Sequence, residues 1–245
     1  MSKKKPVAFF LAGCLAWLAC QAQASVVIVG SRIIYPAQAQ EKSLQLNNRS
    51  DHPSLVQAWV DRGNEESSAQ TADAPFIATP PVFRMEGHTG QTVRLRFTGE
   101  QLPEDRESLF FLNVLEIPPV QADLEGRNQF VVMPRHRLKV FYRPATIAQP
   151  LERLPALLAL HLASEGTDWL INISNPTGYY ATFAEANLLA GGQSAPLQLQ
   201  NSLPPFSSAT WRVARNALAG QPDAVQLRLV TDAGGSLDKR IALKP

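Results

Sequence analysis

From Ser25 onward, short runs of β-branched and aromatic residues are separated by clusters of Pro, Gly, Asn and Asp. This spacing is typical of an all-β sandwich, because each run can form one strand and each cluster can form a turn. In the first half, the candidate strands are residues 26–34, 43–46, 55–60, 92–97, 108–115, 128–133 and 137–142. That number of strands in about 120 residues predicts one immunoglobulin-like domain.

The second half has the same style. Its candidate strands are residues 170–173, 180–186, 196–199, 208–213 and 225–230, with turns at 174–178 and 232–235. Between the halves, Pro144 and Pro150 restrict the backbone to an extended path, which predicts a linker with limited freedom. We therefore predict two immunoglobulin-like β-sandwich domains at an angle, residues 25–147 and 148–245.

Residues 1–24 are typical of a secretory signal peptide. Three lysines precede an apolar stretch, and Ala22-Gln23-Ala24 fits a small-x-small cleavage site. The apolar stretch is shorter than the ~20 residues that a membrane-spanning helix needs. We expect a soluble mature protein without stable membrane insertion. Residues 11–14 also fit a lipoprotein processing box, but cleavage there would leave an apolar mature start.

Composition narrows the classes of function. Both cysteines, Cys14 and Cys20, fall in the predicted signal peptide, so the mature core must be stable without a disulfide. The formal charge of +2 includes three signal-peptide lysines, and removing them leaves 20 basic against 21 acidic residues. This near-neutral balance argues against nucleic-acid binding, which usually needs a basic face.

Enzyme chemistry has little support in the sequence. No nucleophile elbow and no phosphate-binding glycine loop is present. The four histidines lack metal-ligand spacing: His52, His88, His136 and His161. We therefore predict no catalytic residue, no metal and no cofactor.

The stretch LPEDRESLFFLNVLEIPP at residues 102–119 couples a charged turn to a strand and ends in two prolines. Together with Ser31-Arg32, residues 77–82 and residues 137–144, it resembles the signature of periplasmic pilus chaperones of the PapD-like family. The resemblance implies a non-enzymatic periplasmic protein that binds fimbrial subunits by donor-strand complementation. It also implies delivery of these subunits to an outer-membrane usher for fimbria assembly.

By this resemblance, Arg32 and Lys139 reach into the cleft between the domains and bind the C-terminal carboxylate of a bound subunit. The chemistry is consistent, because an Arg fork and a Lys charge can share the two carboxylate oxygens. Glu107 and Arg143 match two members of an ion-pair network that holds the family's domains at an angle. The third member, an acid late in the second domain, has no secure counterpart, and Asn216 and Asp223 are the nearest candidates.

The resemblance further implies that the strand before Lys139 fills a groove in the subunit. The family's spacing assigns the groove-filling side chains to Phe130, Val132 and Pro134. Pro134 departs from the pattern because proline cannot donate a ladder hydrogen bond, although its ring could still fill a pocket. The opposite register, with Val131 and Met133 facing the subunit, stays open because a slip by one residue exchanges the two faces.

Two further points stay open at this level. The short segment from Pro119 to Phe130 and the missing second-domain thiol pair resemble the family's short-loop class. The alternative from a different class is a secreted two-domain immunoglobulin-like adhesin or ligand-binding module. Such a module has no reason to keep an arginine and a lysine at these two points, so an exposed apolar edge beside both cations would favour the chaperone.

Overall fold

The computed structural model describes residues 25–119, 131–199 and 201–243, and these contain two separate hydrophobic cores. The first domain has nine strands: β1 Val26–Ile28, β2 Arg32–Pro36, β3 Lys42–Asn48, β4 Ser54–Asp61, β5 Phe76–Thr79, β6 Val82–Met85, β7 Gly90–Phe97, β8 Ser108–Ile117 and β9 Arg135–Arg143. They form a four-stranded sheet, β1-β3-β7-β5, and a five-stranded sheet, β2-β9-β8-β4-β6. Buried side chains from both sheets make one core, as in an immunoglobulin-like sandwich.

The second domain begins with a 3-10 turn, Leu151–Arg153, and one short helix, α1, Leu154–Leu157. Its strands are β10 Ala159–Glu165, β11 Asp168–Asn175, β12 Ala181–Ala190, β13 Gln193–Pro196, β14 Ser202–Leu203, β15 Ser207–Ala214, β16 Ala224–Val230 and β17 Ser236–Ala242. They form the sheets β10-β11-β15 and β13-β12-β16-β17, with β14 paired to β12. The prediction of an all-β chain with two domains is confirmed.

The first strand region is divided between the two sheets of its domain. β1 pairs antiparallel with β3, whereas β2 pairs in parallel with β9. The division falls at Gly30, whose φ of 104° is a conformation that residues with a Cβ rarely adopt. The prediction of one continuous strand over residues 26–34 is therefore wrong, because the chain changes sheets inside it.

The prediction of a strand at residues 128–133 is wrong for the part that the structure describes. Residues 131–133 have no strand pairing, and β9 begins only at Arg135. The rest of that predicted strand, including Phe130, lies outside the described residues. So do the predicted signal peptide, the lipoprotein box and residues 120–130 of the predicted short loop.

A buried polar network covers the outer face of the five-stranded sheet, opposite the core. Asp61 is fully buried and accepts hydrogen bonds from Ser67 Oγ at 2.7 Å, Asn113 Nδ2 at 2.6 Å and Arg137 Nη2 at 2.7 Å. Burial acts to raise the pKa of Asp61, but these donors lower it below its ordinary value. The network holds the loop after β4 against the sheet, and it also fixes Arg137 of β9 on this outer face.

One buried asparagine organises a turn in each domain. Asn48 Nδ2 donates to the carbonyls of His52, Met85 and Glu86, while its Oδ1 accepts from the backbone N–H of Ser50. In the second domain, Asn175 Nδ2 donates to the carbonyl of Tyr179 at 2.7 Å, and its Oδ1 accepts from the N–H of Thr177 at 3.1 Å. The Asn-x-Ser/Thr pattern thus repeats for a structural reason, since one amide satisfies several backbone groups that a turn leaves unpaired.

Candidate functional site

The structure places Arg32 and Lys139 side by side. They are directly paired residues of the parallel strands β2 and β9, so both side chains leave the same face of the five-stranded sheet. That face is the outer one, because the alternating residues Ile33 and Val140 are buried in the first core. The two cations therefore lie together on the side that the second domain approaches.

Both cations contact the second domain. Lys139 Nζ donates to Ser202 Oγ on β14, and Arg32 Nη1 donates to the carbonyl of Val230 at 3.3 Å. The Arg32 guanidinium also lies 5.8 Å from the ring centroid of Phe141. Phe141 is buried and packs on Tyr180 of the second domain, with 5.6 Å between ring centroids. The site is thus an interdomain cleft built on one strand pair.

Among the described residues, no acid contacts either cation of the cleft. Burial lowers the pKa of Lys139, and the neighbouring charge of Arg32 lowers it further. Burial also lowers the pKa of Arg32, against the attraction of Asp232 and Glu107. Across the residues that the structure describes, neither cation forms a salt bridge within 4.0 Å. A carboxylate placed between them would therefore relieve repulsion between two partly desolvated charges.

The edge of β9 is open just upstream of Lys139. β2 pairs with β9 only from Lys139 to Arg143, whereas β8 pairs with β9 from Arg135 to Tyr142. Residues 135–138 therefore have a strand on one side only, within the described ranges. An unpaired edge presents backbone N–H and C=O groups that another chain can pair with.

The predicted groove-filling residues precede this edge. Val132 is 61% exposed, and Pro134 is partly exposed with its carbonyl accepting from the N–H of Glu116 at 2.9 Å. Val131 and Met133 are also exposed, at 46% and 54%. Neither side chain packs into a core, so both registers remain compatible with the fold of the free protein.

Glu107 and Arg143 form a buried ion pair. Arg143 Nε lies 2.6 Å from Glu107 Oε1, and only 2% of the Glu107 side chain is exposed. Both residues belong to the first domain, and each also bonds to the second. Glu107 Oε2 accepts from the backbone N–H of Tyr180 at 2.8 Å, and Arg143 Nη2 donates to Asp232 Oδ1 at 3.0 Å. The pair therefore connects the two domains.

The second-domain acid of this network is Asp232. Asn216 lies instead in an exposed 3-10 turn, and Asp223 faces Arg240 at 3.5 Å, so both expected candidates are wrong. Burial acts to lower the pKa of Arg143, but Asp232 and Glu107 raise it above its ordinary value. Burial raises the pKa of Glu107, and Arg143 and the Tyr180 N–H oppose that rise.

A cavity of about 310 Å³ lies between this ion-pair network and Arg32. Its walls are mainly apolar and come from both domains, including Phe141, Leu151, Leu154 and Leu229. Arg32 lines the cavity, which therefore adjoins the cleft, and Glu107 and Arg143 of the ion pair line it as well.

The turn at residues 174–178 brings the second domain into contact with the first near Glu107. Gly178 has no side chain, and its carbonyl oxygen accepts a hydrogen bond from the backbone N–H of Glu107 at 2.8 Å. A Cβ at position 178 would lie 2.5 Å from the carbonyl oxygen of Asp105 and 2.9 Å from Ile147 Cγ2. Glycine is required here by the close approach of the two domains.

We expect Gly178→Ala to destabilise the protein by about 1–3 kcal/mol, the usual cost of forcing atoms into a packed interface. Thermal unfolding of the purified protein measures this. Gly235→Ala is the matched control, because its Cβ would meet its nearest neighbour, Thr231 Oγ1, at 3.4 Å. Equal melting temperatures for the two variants would contradict a close-packed interface at position 178.

The described residues form neither a metal-binding group nor a membrane-spanning helix. No group of three or more His, Cys, Asp or Glu side chains there could hold a metal ion. Within the same ranges, no helix is long and apolar enough to cross a membrane.

Family models match both domains. The model described as "Pili and flagellar-assembly chaperone, PapD N-terminal domain" matches residues 25–148, and "Pili assembly chaperone PapD, C-terminal domain" matches residues 155–241. The chain belongs to the PapD-like family of pilus-assembly chaperones. This membership replaces the alternative of an unrelated adhesin or ligand-binding module.

Relatives of the chaperone cover most of its length. It is 38% identical to the chaperone protein HifB of Haemophilus influenzae over 236 residues, which cover 94% of this chain and 93% of HifB. It is 36% identical to the probable fimbrial chaperone YadV of Escherichia coli over 221 residues, or 88% of each chain. The crystal structure of YadV superimposes with a TM-score of 0.75, covering 90% of this chain and all of YadV.

A third solved structure contains a partner. The chaperone is 25% identical, with a TM-score of 0.73, to a chain in the complex of the Salmonella enterica SafA pilin with the SafB chaperone. The alignment covers 91% of the present chain and 99% of the matched one.

Proposed function

We propose that this chaperone acts in the periplasm, where it binds fimbrial subunits by donor-strand complementation and delivers them to an outer-membrane usher. It needs no cofactor and catalyses no reaction, because the binding energy itself stabilises the subunit. The proposed domains are residues 25–147 and 148–245, after removal of residues 1–24. The observation that carries this proposal is the open edge of β9 beside Arg32 and Lys139, which are paired residues of β2 and β9.

The edge supplies the donor function. A subunit that lacks one strand has an open groove, and residues 131–138 can enter it through main-chain hydrogen bonds and alternate side chains. The pairing of β8 with β9 stops at Arg135, and residues 131–133 have no strand pairing, so their backbone groups are available to a subunit. The pilin bound to SafB supports a partner of this kind.

The alternation of β9 supports the proposed register. Leu138 faces the first core, since its paired residue on β8 is Leu112 of that core. Arg137 faces the opposite side, where Asp61 holds it at 2.7 Å. If β9 is lengthened upstream when a subunit binds, a period of two would place residues 136, 134, 132 and 130 on the core side. Phe130, Val132 and Pro134 are therefore the proposed groove-filling residues.

The two cations fix the end of the subunit. Its terminal carboxylate binds between Arg32 and Lys139, which places the subunit's last strand in line with the open edge. Hydrogen bonds to charged groups contribute about 1.5–3 kcal/mol each. The carboxylate thus sets the register, while the apolar residues before Lys139 cover the groove.

The test is capture of a fimbrial subunit from the same organism, after co-expression of the two proteins in the periplasm. Val132→Asp should reduce capture at least about tenfold, because a Val side chain buried at the interface contributes about 1.5–3 kcal/mol. Phe130→Asp should act in the same direction. Val131→Asp is the matched control, since both valines are exposed in the free protein.

Each outcome decides one part of the proposal. If Val131→Asp reduces capture and Val132→Asp does not, the register differs from the proposed one by one residue, and the open edge is still the binding element. If none of the three variants changes capture, the subunit does not bind this edge by donor-strand complementation. Pro134→Val restores a backbone donor, and a gain in capture would show that the paired segment can be lengthened.

A further inference from the structure

The second domain brings two hydroxyl groups to the cation pair. Ser202 on β14 is paired with Thr182 on β12, and their Oγ and Oγ1 atoms lie 3.3 Å apart. Ser202 Oγ also accepts a hydrogen bond from Lys139 Nζ, although the two residues are far apart in sequence. Ser202 is therefore the point at which the second domain contacts the cation that β9 presents.

The chemistry of these groups leaves capacity for an anion. A lysine ammonium has three donors and no acceptor, so one bond to Ser202 leaves two donors available. The Ser202 hydroxyl that accepts from Lys139 still carries its own proton, which Thr182 or a bound acceptor can receive. A carboxylate oxygen resting on Lys139 would lie within reach of this hydroxyl.

Arg32 is directed differently from Lys139. Its Nη1 donates to the carbonyl of Val230, and its guanidinium lies over Phe141 and is attracted by Asp232 and Glu107. Lys139 has no acid among the groups that shift its pKa, only burial and Arg32. Of the two cations, Lys139 is therefore the one that no acid stabilises, and Ser202 is its hydrogen-bond partner.

We propose that Ser202 is a third anchor of the subunit carboxylate, contributed by the second domain. This inference rests on the proposed function, in which Arg32 and Lys139 bind that carboxylate. With Ser202 as a donor, one carboxylate bridges both domains of the chaperone. Recognition of the free subunit end then depends on the second domain as well as on the β2–β9 pair.

The test uses two synthetic peptides that copy about the last fifteen residues of a fimbrial subunit from the same organism, one ending in a free carboxylate and one in an amide. We expect Ser202→Ala to weaken the acid-ended peptide about tenfold, the scale of a hydrogen bond to a charged group. Binding of the amide-ended peptide should not change. Ser202→Thr should restore the preference for the acid, and Ser208→Ala, an exposed serine of the same domain, should leave it intact.

The outcomes separate this inference from the proposed function. If Lys139→Ala removes the preference for the acid-ended peptide and Ser202→Ala does not, Ser202 is no anchor and the carboxylate site stands. If neither variant changes the preference, the carboxylate site itself is wrong. If Ser202→Ala weakens both peptides equally, Ser202 has only a structural role.

Discussion

Replacing Lys139 or Arg32 with alanine is expected to abolish recovery of a co-expressed pilin while the chaperone stays folded. Each change removes charge-assisted hydrogen bonds of about 1.5–3 kcal/mol each. The fold should tolerate both changes, because burial already disfavours the charge of each residue and neither forms a salt bridge in the described part of the chain. Capture assays and thermal unfolding measure the two properties separately.

Matched controls exist for both charges. Lys42→Ala and Arg94→Ala remove exposed cations from the four-stranded sheet of the same domain, and neither should change capture. If the Lys139 or Arg32 variants lose melting temperature as well as capture, these residues stabilise the folded chaperone and the loss of capture is indirect.

The same prediction extends to pH. Burial and Arg32 lower the pKa of Lys139 in the free chaperone, whereas a bound carboxylate would raise it again. Affinity should therefore stay constant between the pKa of the subunit carboxylate and the lowered pKa of Lys139, and fall as pH rises through the latter. Lys139→Arg keeps its charge at these pH values and should flatten the profile. A profile that falls equally in both proteins would exclude the ionisation of Lys139 as its cause.

Arg143→Ala is expected to have the largest effect on stability, about 3–5 kcal/mol, because it leaves Glu107 buried without its counter-charge. For a chain of this size, that corresponds to a fall in melting temperature of roughly 10 °C. Asp232→Asn should cost far less, since its side chain is 38% exposed and the Glu107–Arg143 pair remains. Calorimetry measures both changes.

Arg153→Ala is the control for loss of a positive charge near the linker, because Arg153 is exposed. A loss in Arg143→Ala no larger than in this control would show that the pair adds little to stability. In that case the domains would be held together mainly by apolar contacts such as Phe141 on Tyr180.

Local sequence patterns were sufficient to predict the architecture, whereas Arg32 and Lys139 were selected by the family resemblance. Strands rich in apolar, β-branched and aromatic residues, such as β4 and β8, were located to within a few residues. β10 was missed because its alanines and leucines have little preference for strands. β17 was missed because Asp238, Lys239 and Arg240 give it the charged character of an edge strand.

The contacts of the second domain could not be predicted in the same way. Asp232 was visible only as part of a turn, and its role depends on where that turn lies relative to Arg143. Ser202 belongs to a two-residue strand, and no local pattern relates it to Lys139. The one overlooked local signal was Gly30, because a glycine inside a strand pattern often marks a break.

The open stretch of β9 also affects how the unliganded protein behaves in the test tube. Every molecule in a concentrated sample has the same four residues, 135–138, open on one side, so each molecule can serve as a template for its neighbours. Dilution should favour isolated molecules, whereas storage at high concentration should favour contacts between identical edges. Light scattering over a dilution series would therefore establish the concentrations at which measurements on the free protein describe a single molecule.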